Sequence, residues 1–432
     1  MRWHRSGTAE FEGSLARAES RGVSVSEKVS AVVEEILRRV RQEGDPALAE
    51  YTRRFDRFDP ERKGFAVPPR EIDAAWRRVP APLKRSLELA AGRIEAFHRH
   101  QVQGGFGVSL PGATLGQRVL PVARAGVYVP GGKAAYPSTL LMNALPARVA
   151  GVPDVVAACS APGGKVPDVV LAAARVAGVS AVYRIGGAQA IAALAYGTRS
   201  VPRVDVIAGP GNAYVTEAKR RVFGAVGIDM LAGPSELVVF ADQTADPGFV
   251  AADLLSQAEH DEDAFVALVT NSRGTADAVE RELLRRVRNL SRKGILRGSL
   301  AGAEGFLTRS RRESLDTVNR LAPEHLSIAT RDPWKDLAEI RNAGTVFLGP
   351  HSPVAVGDYI AGINHTLPTG GAARFSSPLG VSDFLKKTNV VSYEFSALRS
   401  DAPHVVRLAR KEGLTAHAES VLVRTRGKGN RR

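Results

Sequence analysis

Val204-Asp-Val-Ile-Ala208 is an apolar run that leads into the turn Gly209-Pro-Gly-Asn212, and a helical pattern follows over 213–223. A strand that passes through a glycine turn directly into a helix is typical of a βαβ unit. Similar strand–turn–helix patterns occur at 122–133, at 152–159 and at 181–196. Repetition at this interval predicts βαβ units and a parallel sheet.

The remaining chain extends this pattern. Further strands are predicted at 237–240, 265–270 and 345–348, and Asp246-Pro247 is expected to begin a helix as N-cap and first helical residue. Apolar residues at helical spacing predict helices over 25–41 and 81–98, and two more over 405–411 and 416–423 that join at Gly413. The fold class predicted is therefore α/β, with two Rossmann-like parallel-sheet domains and helical additions at both ends.

The expected domain boundaries follow from these segments. We expect an N-terminal helical extension over 1–25 and a first, discontinuous α/β domain over 26–129 and 236–375. A second α/β domain, on the cofactor side, is expected over 130–235, followed by a C-terminal helical segment over 376–424 and a disordered basic tail over 425–432.

Composition excludes several classes of protein. The 432 residues contain one cysteine, Cys159, which excludes an intramolecular disulfide, a cysteine-rich zinc site and an iron–sulfur cluster held within one subunit. No apolar segment of a signal peptide follows Met1, and no uncharged stretch reaches the roughly 18–20 apolar residues of a membrane span. We therefore expect a soluble, cytoplasmic protein that does not enter a membrane.

The net charge of +14 raises the possibility of nucleic-acid binding. Much of the excess lies at 281–297, at 309–312 and in the tail 424–432. The first segment has helical spacing, with Leu283, Leu284 and Val287 expected to face inward and the arginines to face solvent. Because neither this segment nor the tail interleaves aromatic residues with basic ones, specific nucleic-acid binding is not expected, although a basic α/β protein that binds nucleic acid through 281–312 remains the rival from another class.

The most informative chemical feature is Glu324-His325, a carboxylate beside an imidazole. Pro323 ends the preceding helical pattern, so the pair is predicted at a turn that faces a cleft. An imidazole of near-neutral pKa suits a general base, and a carboxylate can activate water. The alternative interpretation is structural, with an exposed glutamate and a buried histidine.

Several other polar residues carry donors that suit a hard or borderline metal. Gln257 and His260, at i and i+3 of the helix that begins at Asp246, would project from one helix face, or would simply form a solvated face. Asp358 lies in an apolar segment, where a carboxylate is costly unless it is paired, metal-bound or the N-cap of a helix after Gly357. The other candidates are His365 on a glycine loop, and Glu412 and His417 near the C-terminal helices.

The glycine turns permit a dinucleotide without demonstrating one. Each turn ends a strand, where a ligand can approach backbone N–H groups. None has the Gly-x-Gly-x-x-Gly spacing, and no acidic residue at the end of a second strand can be assigned to a ribose. The turns in question are Gly126-Val-Tyr-Val-Pro-Gly-Gly-Lys133, Gly186-Gly-Ala-Gln189 and Gly209-Pro-Gly-Asn212.

Taken together, these motifs closely resemble those of the histidinol dehydrogenase family, over roughly residues 25 to 420 and in the same order. The stretches that carry the resemblance are Gly126-Val-Tyr-Val-Pro-Gly-Gly-Lys-Ala-Ala-Tyr-Pro-Ser-Thr139, Ala208-Gly-Pro-Gly-Asn-Ala-Tyr-Val-Thr216, Leu231-Ala-Gly-Pro-Ser-Glu236, Gln257-Ala-Glu-His-Asp261, Ala322-Pro-Glu-His325 and Gly362-Ile-Asn-His-Thr-Leu-Pro-Thr-Gly370.

The resemblance implies oxidation of L-histidinol to L-histidine in two NAD-dependent steps through a held aldehyde, the last step of histidine biosynthesis. It implies a homodimer with one Zn²⁺ per subunit and a site shared between subunits. By matching motifs it assigns the metal to Gln257, His260, Asp358 and His417, acid–base catalysis to Glu324 and His325, and cofactor contacts to Tyr128, Gln189 and Asn212. The implied substrate contacts are Ser235, Gln257, His260, His325, Asp358, His365, Glu412 and His417.

One rival within enzymes shares the same framework, namely a zinc- and NAD-dependent dehydrogenase of another small amino or sulfonated alcohol. Every position that the resemblance associates with histidinol is filled in this chain, which argues against that rival. The strong positive charge and the basic tail depart from what the resemblance implies, and they bear on surface partners rather than on the site.

Overall fold

The computed structural model describes residues 1–22, 26–131 and 135–426. The chain divides into two compact units, the first formed by Met1–Gln101 and Val122–Phe384 and the second by Val102–Pro121 and Leu385–Arg432. The described strands are β1 (Arg2–Arg5), β2 (Phe106–Leu110), β3 (Ala113–Pro121), β4 (Arg124–Val129), β5 (Asp154–Cys159), β6 (Ala181–Tyr183), β7 (Val206–Ala208), β8 (Gly227–Ile228), β9 (Glu236–Ala241), β10 (Phe265–Thr270), β11 (Glu304–Leu307), β12 (His325–Ala329), β13 (Thr345–Leu348) and β14 (Leu385–Tyr393).

The helices lie between these strands, as alternating βα patterns predict. They are α1 (Ala9–Glu19), α2 (Glu27–Glu43), α3 (Asp45–Asp56), α4 (Pro60–Lys63), α5 (Pro69–Arg78), α6 (Ala81–Arg99), α7 (Pro137–Val149), α8 (Asp168–Ala177), α9 (Gly187–Tyr196), α10 (Ala213–Val222), α11 (Pro247–Ala258), α12 (Arg273–Arg286), α13 (Lys293–Ala301), α14 (Arg311–Leu321), α15 (Pro333–Leu337), α16 (Val354–Tyr359), α17 (Phe395–Lys411) and α18 (Thr415–Thr425).

The first unit contains two parallel sheets, which confirms the predicted α/β fold class. The five-stranded sheet has the order β6-β5-β4-β7-β8, and the six-stranded sheet has the order β1-β11-β10-β9-β12-β13. All ladders in both sheets are parallel. Helices cover both faces of such sheets, which explains why β9 is buried along its whole length and β4 along all but its first residue.

The structure differs from the expected domain boundaries. Strand β4 lies in the five-stranded sheet, and apolar residues of α2, α3, α5 and α6 pack into the cores of that sheet, so the segment 26–129 does not group with 236–375. At the N-terminus, the segment expected to be helical contains β1 as well as α1. Strand β1 pairs in parallel with β11 and forms an edge of the six-stranded sheet.

Local signals near the site are largely as predicted. Asp246 accepts hydrogen bonds from the backbone N–H groups of Gly248 and Phe249, so it caps α11, and Pro247 is the first helical residue. Helix α11 ends at Ala258, however, so His260 lies beyond the helix instead of at position i+3 within it. Asp358 lies in the last turn of α16, so the interpretation of this residue as an N-cap is wrong.

The second unit has a different architecture. An antiparallel sheet of order β14-β3-β2 is followed by α17 and α18, and every residue of β2 is exposed. Helix α17 begins at Phe395, ten residues before the predicted start, although Pro403 lies inside it. Helix α18 continues to Thr425, and the predicted disordered tail lies outside the described residues from residue 427 onward.

The basic segment 281–297 is helical as far as Arg286 and again from Lys293. Leu283 is buried, but Leu284 has 62% of its surface exposed, so the expectation that it faces inward is wrong. Arg285 and Arg286 both form ion pairs with Glu282 on this face. Within the described residues, no helix combines the length and the apolar character needed to cross a bilayer.

Candidate active site

A pocket of about 140 Å³ in the first unit gathers most of the candidate residues. Tyr136, Ser138, Thr139 and Pro210 follow strands of the five-stranded sheet, so they lie at its carboxyl edge. The rest of the lining comes from the six-stranded sheet and from segments that adjoin it, namely Ala232, Gly233, Ser235, Gln257, His260, Glu324, His325, Asp358, Tyr359, His365, Thr366, Leu367 and Thr369.

Glu324 and His325 lie side by side at the start of β12. Glu324 is 6% exposed and His325 is 4% exposed, so the structural alternative of an exposed glutamate is wrong. Helix α14 ends at Leu321, and Ala322 adopts a left-handed conformation (φ +44°), which turns the chain before Pro323. The turn places both side chains in the pocket, as the sequence predicted.

The hydrogen bonds of His325 determine which ring nitrogen is available. Nδ1 lies 3.0 Å from the carbonyl oxygen of Glu236 and 3.5 Å from Glu324 Oε2. Because a carbonyl oxygen only accepts hydrogen bonds, Nδ1 carries the hydrogen and donates it. The other nitrogen, Nε2, lies 3.7 Å from Asp358 Oδ1 on the side of the proposed metal ligands.

Burial and neighbouring charge shift the pKa of both members of the pair. Burial raises the pKa of Glu324, and the opposing effect of His325 does not cancel this. Burial alone would lower the pKa of His325, but Glu324 and Asp358 outweigh it and raise the pKa of this imidazole well above its ordinary value. The pKa of His325 in these surroundings is thus higher than the near-neutral value expected from the sequence.

Gln257 presents an unsatisfied acceptor. Its side chain is 1% exposed, and Oε1 has no hydrogen-bond partner within the described part of the chain. An orphaned buried amide oxygen is costly unless a cation or another donor engages it. His260 lies at the exposed rim of the same pocket, and its backbone N–H donates to the Gln257 carbonyl at 3.2 Å.

Asp358 and His365 are held together by the chain. His365 Nδ1 donates to the carbonyl oxygen of Asp358 at 3.0 Å, and Thr139 Oγ1 lies 3.3 Å from His365 Nε2. Burial alone would raise the pKa of Asp358, but the neighbouring imidazoles of His325, His365 and His260 outweigh it and lower that pKa. Asp358 is thus an anionic donor beside Gln257 and His260.

These donors do not form a complete ligand set by themselves. Among the described residues, no three histidine, cysteine, aspartate or glutamate side chains are arranged as a ready metal site. Glu412 and His417 belong to the second unit, where Glu412 follows α17, His417 lies in the first turn of α18, and both are exposed. The pocket is lined by residues of the first unit alone.

The three residues assigned to the cofactor lie near the carboxyl edge of the five-stranded sheet. The Tyr128 hydroxyl accepts a hydrogen bond from Gly187 N–H at 3.0 Å, and Gln189 lies buried in the first turn of α9. Asn212 is exposed and caps α10 by accepting from the N–H groups of Tyr214 and Val215. Part of the turn over 126–133, including Lys133, lies outside the described residues.

The turn after β7 brings backbone close to backbone. Gly209 has φ +119°, and a Cβ at this position would lie 2.3 Å from the carbonyl oxygen of Tyr128. A residue with a Cβ would clash there, so this close approach of backbone to backbone requires glycine.

The sequence analysis did not identify two buried carboxylates that lie near the ends of strands in the two parallel sheets. Asp56, at the end of α3, is 6% exposed and lies 3.5 Å from the hydroxyl of Ser160, which directly follows β5. Burial raises the pKa of Asp56. Glu236, which directly follows Ser235, is 3% exposed and contacts both catalytic candidates. A charged residue that opens an otherwise apolar strand was the signal available for Glu236.

Comparison with known proteins places this geometry in one family. A family model described as histidinol dehydrogenase matches residues 19–425. The chain is 50% identical over 426 residues to the histidinol dehydrogenase of Geobacter metallireducens, covering 98% of this chain and 97% of that one. It is 49% identical over 417 residues to the histidinol dehydrogenase of Rhizobium meliloti, covering 96% of each.

The fold also matches a solved structure closely. The crystal structure of histidinol dehydrogenase from Elizabethkingia anophelis superposes with a TM-score of 0.92 at 34% sequence identity and covers 98% of each chain. The similarity thus extends over both units and includes the segments that line the pocket.

Proposed function

This chain belongs to the histidinol dehydrogenase family, and on that premise we propose that it oxidises L-histidinol to L-histidine in two NAD-dependent steps through a bound aldehyde. The chain is an NAD-dependent oxidoreductase by this membership. One observation carries the proposal for this chain itself. A buried carboxylate–imidazole pair and an orphaned amide oxygen open into one pocket beside an aspartate and two further imidazoles.

The donors in the pocket suit zinc. We assign the metal to Gln257, His260 and Asp358, with His417 as the fourth ligand. The unsatisfied Oε1 of Gln257 supports this assignment, because a cation would supply the partner that this buried oxygen lacks. When bound, zinc would leave positions for the amine and imidazole of the substrate and so would orient its alcohol carbon.

The nicotinamide cofactor is assigned to the carboxyl edge of the five-stranded sheet, near Tyr128, Gln189 and Asn212. The N-termini of α9 and α10, which directly follow strands of this sheet, support this placement. When bound, NAD would accept the hydride in each step.

His325 is the proposed base in the first step. With Nδ1 donating to the Glu236 carbonyl, Nε2 is the nitrogen that can take the hydroxyl proton of the alcohol. Two carboxylates raise the pKa of His325, and one of them, Asp358, is also a proposed metal ligand. A cation bound to Asp358 would offset its negative charge, so the carboxylate would stabilise the protonated imidazole of His325 less strongly.

Glu324 is the proposed base in the second step. Its carboxylate would take a proton from water as that water adds to the aldehyde, which forms the hydrate from which the second hydride leaves. The buried position of Glu324 keeps bulk water away from the carboxylate, so that one positioned water can be activated.

A homodimer in the cytoplasm with a shared site completes the proposal. Glu412 and His417 are exposed in the second unit, which is consistent with a role at a neighbouring subunit. We also assign substrate contacts to Ser235, His365, Glu412 and His417.

The decisive experiment supplies the purified chain with Zn²⁺, NAD and L-histidinol. We expect two NADH for each histidine formed, measured by absorbance and by amino-acid analysis. Simple amino alcohols serve as comparison substrates and should be oxidised far more slowly. Absence of turnover with histidinol, together with turnover of another alcohol, would favour the rival dehydrogenase.

A further inference from the structure

Glu236 contacts both members of the acid–base pair that lines the pocket. It is the first residue of β9, next to β12 in the six-stranded sheet. Its backbone N–H donates to Glu324 Oε2 at 2.7 Å, and its carbonyl oxygen accepts from His325 Nδ1 at 3.0 Å. The main chain of Glu236 therefore orients both members of the acid–base pair.

The side chain of Glu236 orients two separate segments of backbone. Oε2 accepts from the backbone N–H of Glu324 at 3.2 Å, and Oε1 accepts from the backbone N–H of Gly370 at 2.7 Å. Gly370 ends the segment that carries His365 and Thr369, and Thr369 Oγ1 in turn accepts from Gly233 N–H at 2.5 Å. One carboxylate thus connects the start of β12 to a second segment that also lines the pocket.

Arg21 holds this carboxylate in place. Its Nε and Nη2 each lie 2.9 Å from a different oxygen of Glu236, which is a bidentate pair, and Nη2 also donates to the Leu321 carbonyl at 2.8 Å. The guanidinium lies 4.4 Å from the centre of the Phe265 ring. The side chains of Arg21 and Glu236 are 13% and 3% exposed, so the pair is largely removed from solvent.

The charge on Arg21 is needed because two glutamates meet here. Glu236 and Glu324 accept hydrogen bonds from each other's backbone N–H groups, so their carboxylates lie close together inside the protein. Without a positive partner, the buried Glu236 carboxylate would be destabilised and would not keep its place beside Glu324. Arg21 comes from the N-terminal segment, 215 residues away along the chain.

We propose that Arg21 and Glu236 are positioning residues, in which Arg21 fixes the Glu236 carboxylate and Glu236 fixes the backbone at Glu324 and Gly370. Their role is to hold the Glu324 carboxylate where it activates water against the bound aldehyde, so the inference rests on the proposed function. The main-chain contacts of Glu236 to His325 Nδ1 and to Glu324 Oε2 survive any side-chain substitution, but Glu324 is held in addition through its backbone N–H by the Glu236 carboxylate. The two oxidation steps should therefore respond differently to the loss of Arg21.

The test is Arg21→Met, which keeps an unbranched apolar stem and removes the charged guanidinium. We expect oxidation of L-histidinal to slow by roughly 10–100-fold, as for other residues that orient a catalytic group, and oxidation of L-histidinol to histidinal to slow far less. Single-turnover rates for each substrate separate the two steps. Zinc content by elemental analysis should match the unsubstituted enzyme, and Arg21→Lys should recover part of the lost rate.

Arg320→Met is the matched control. Arg320 forms a bidentate pair with Glu19 at 2.8 and 3.1 Å, and so connects α1 to α14 without contacting Glu236. Both rates should stay unchanged in this variant, and thermal unfolding of each variant measures any loss of stability. Should Arg21→Met unfold, Glu236→Gln removes the other charge of the pair with almost the same side-chain shape and should show the same selective loss.

Two results would overturn the inference. One is an equal slowing of both oxidations in Arg21→Met and Glu236→Gln, and the other is a selective loss in Arg320→Met as well. Failure of the unsubstituted enzyme to oxidise histidinol is a separate outcome, because it refutes the proposed function before any variant is compared.

Discussion

The two parallel sheets of the first unit contribute opposite edges to the same pocket. Tyr136 and Pro210 follow β4 and β7, so the five-stranded sheet presents its carboxyl edge. Ser235 and the Glu324–His325 pair precede or begin β9 and β12, so the six-stranded sheet presents its amino edge. Ligands of open α/β sheets usually bind outside the carboxyl edge, and only the five-stranded sheet follows that rule.

The difference follows from the polarity of helices. At the carboxyl edge, helices begin, and their free N–H groups favour anions such as the pyrophosphate of a dinucleotide. At the amino edge, helices end, and their free carbonyl groups favour cations. Gln257 lies in the last turn of α11 and Asp358 in the last turn of α16. This polarity supports the proposal that the cofactor binds at the carboxyl edge and the metal at the amino edge.

The largest expected effect tests the metal edge. His260→Ala should release zinc and abolish turnover of histidinol, because it removes an imidazole ligand at the rim of the pocket. Since His260 is exposed, the fold should persist, which thermal unfolding checks. Elemental analysis measures zinc, and fluorescence titration with NAD should show binding at the other edge unchanged.

His351→Ala provides the matched control, because His351 is also exposed but does not line the pocket. Zinc content and turnover should be retained in this variant. A full complement of zinc in His260→Ala would remove this residue from the ligand set and would weaken the assignment of the metal to the amino edge.

The second prediction separates the two oxidations at this edge. Glu324→Gln should slow oxidation of histidinal by about 10²–10⁴-fold, the usual contribution of a general base, and leave oxidation of histidinol much less affected. Rapid-quench measurements with each substrate give the two rates. Equal losses would refute the role of Glu324 in activating water.

The same carboxylate predicts a pH dependence. Burial raises the pKa of Glu324, so its basic form accumulates at higher pH than that of a free glutamate. Oxidation of histidinal should therefore accelerate as the pH rises through that raised pKa and then level off. A profile that is unchanged in Glu324→Gln would assign the rising limb to another group.

The strands and helices could be predicted from the sequence because apolar runs, glycine turns and Asp246-Pro247 are local signals. The edge at which each sheet meets the ligand is not a local property, since it depends on which strands pair. Helix α11 shows the limit of spacing arguments: Gln257 and His260 were predicted on one helix face, but the helix ends at Ala258 and a turn brings His260 to the pocket.

Long-range contacts account for the rest of what sequence reasoning missed. Arg21 reaches Glu236 across the chain, and nothing in the residues around Arg21 distinguishes it from the many other arginines. The resemblance supplied roles for Glu412 and His417, but both are exposed on the second unit and no local pattern indicates what they contact. These assignments stay predictions.

The fourth prediction concerns the cofactor edge. Lys219 Nζ donates to the Gly209 carbonyl at 2.9 Å and pairs with Asp229, whose other oxygen accepts from Gly209 N–H at 2.8 Å. Their side chains are 2% and 0% exposed. Lys219→Met should lower the free energy of unfolding by about 3–5 kcal/mol, because Asp229 stays buried without its partner. Denaturant titration measures the loss, and affinity for NAD should fall while zinc content is retained.

Lys219→Met combined with Asp229→Asn should recover part of the stability, since no unpaired charge remains. Loss of zinc in Lys219→Met would contradict the assignment of cofactor and metal to separate edges, because it would show that the cofactor edge also supports the metal.

The smallest expected effect is at Asn212, where two substitutions can distinguish helix capping from cofactor binding. Asn212→Ala should cost about 0.5–2 kcal/mol of stability, because the N–H groups of Tyr214 and Val215 lose their acceptor. Asn212→Ser keeps a capping oxygen and should restore stability. If Asn212 also contacts NAD, as we propose, the KM for NAD should rise in both variants, because the serine lacks the amide. A KM that recovers together with stability in Asn212→Ser would reduce this residue to a helix cap and leave Tyr128 and Gln189 as the cofactor contacts at this edge.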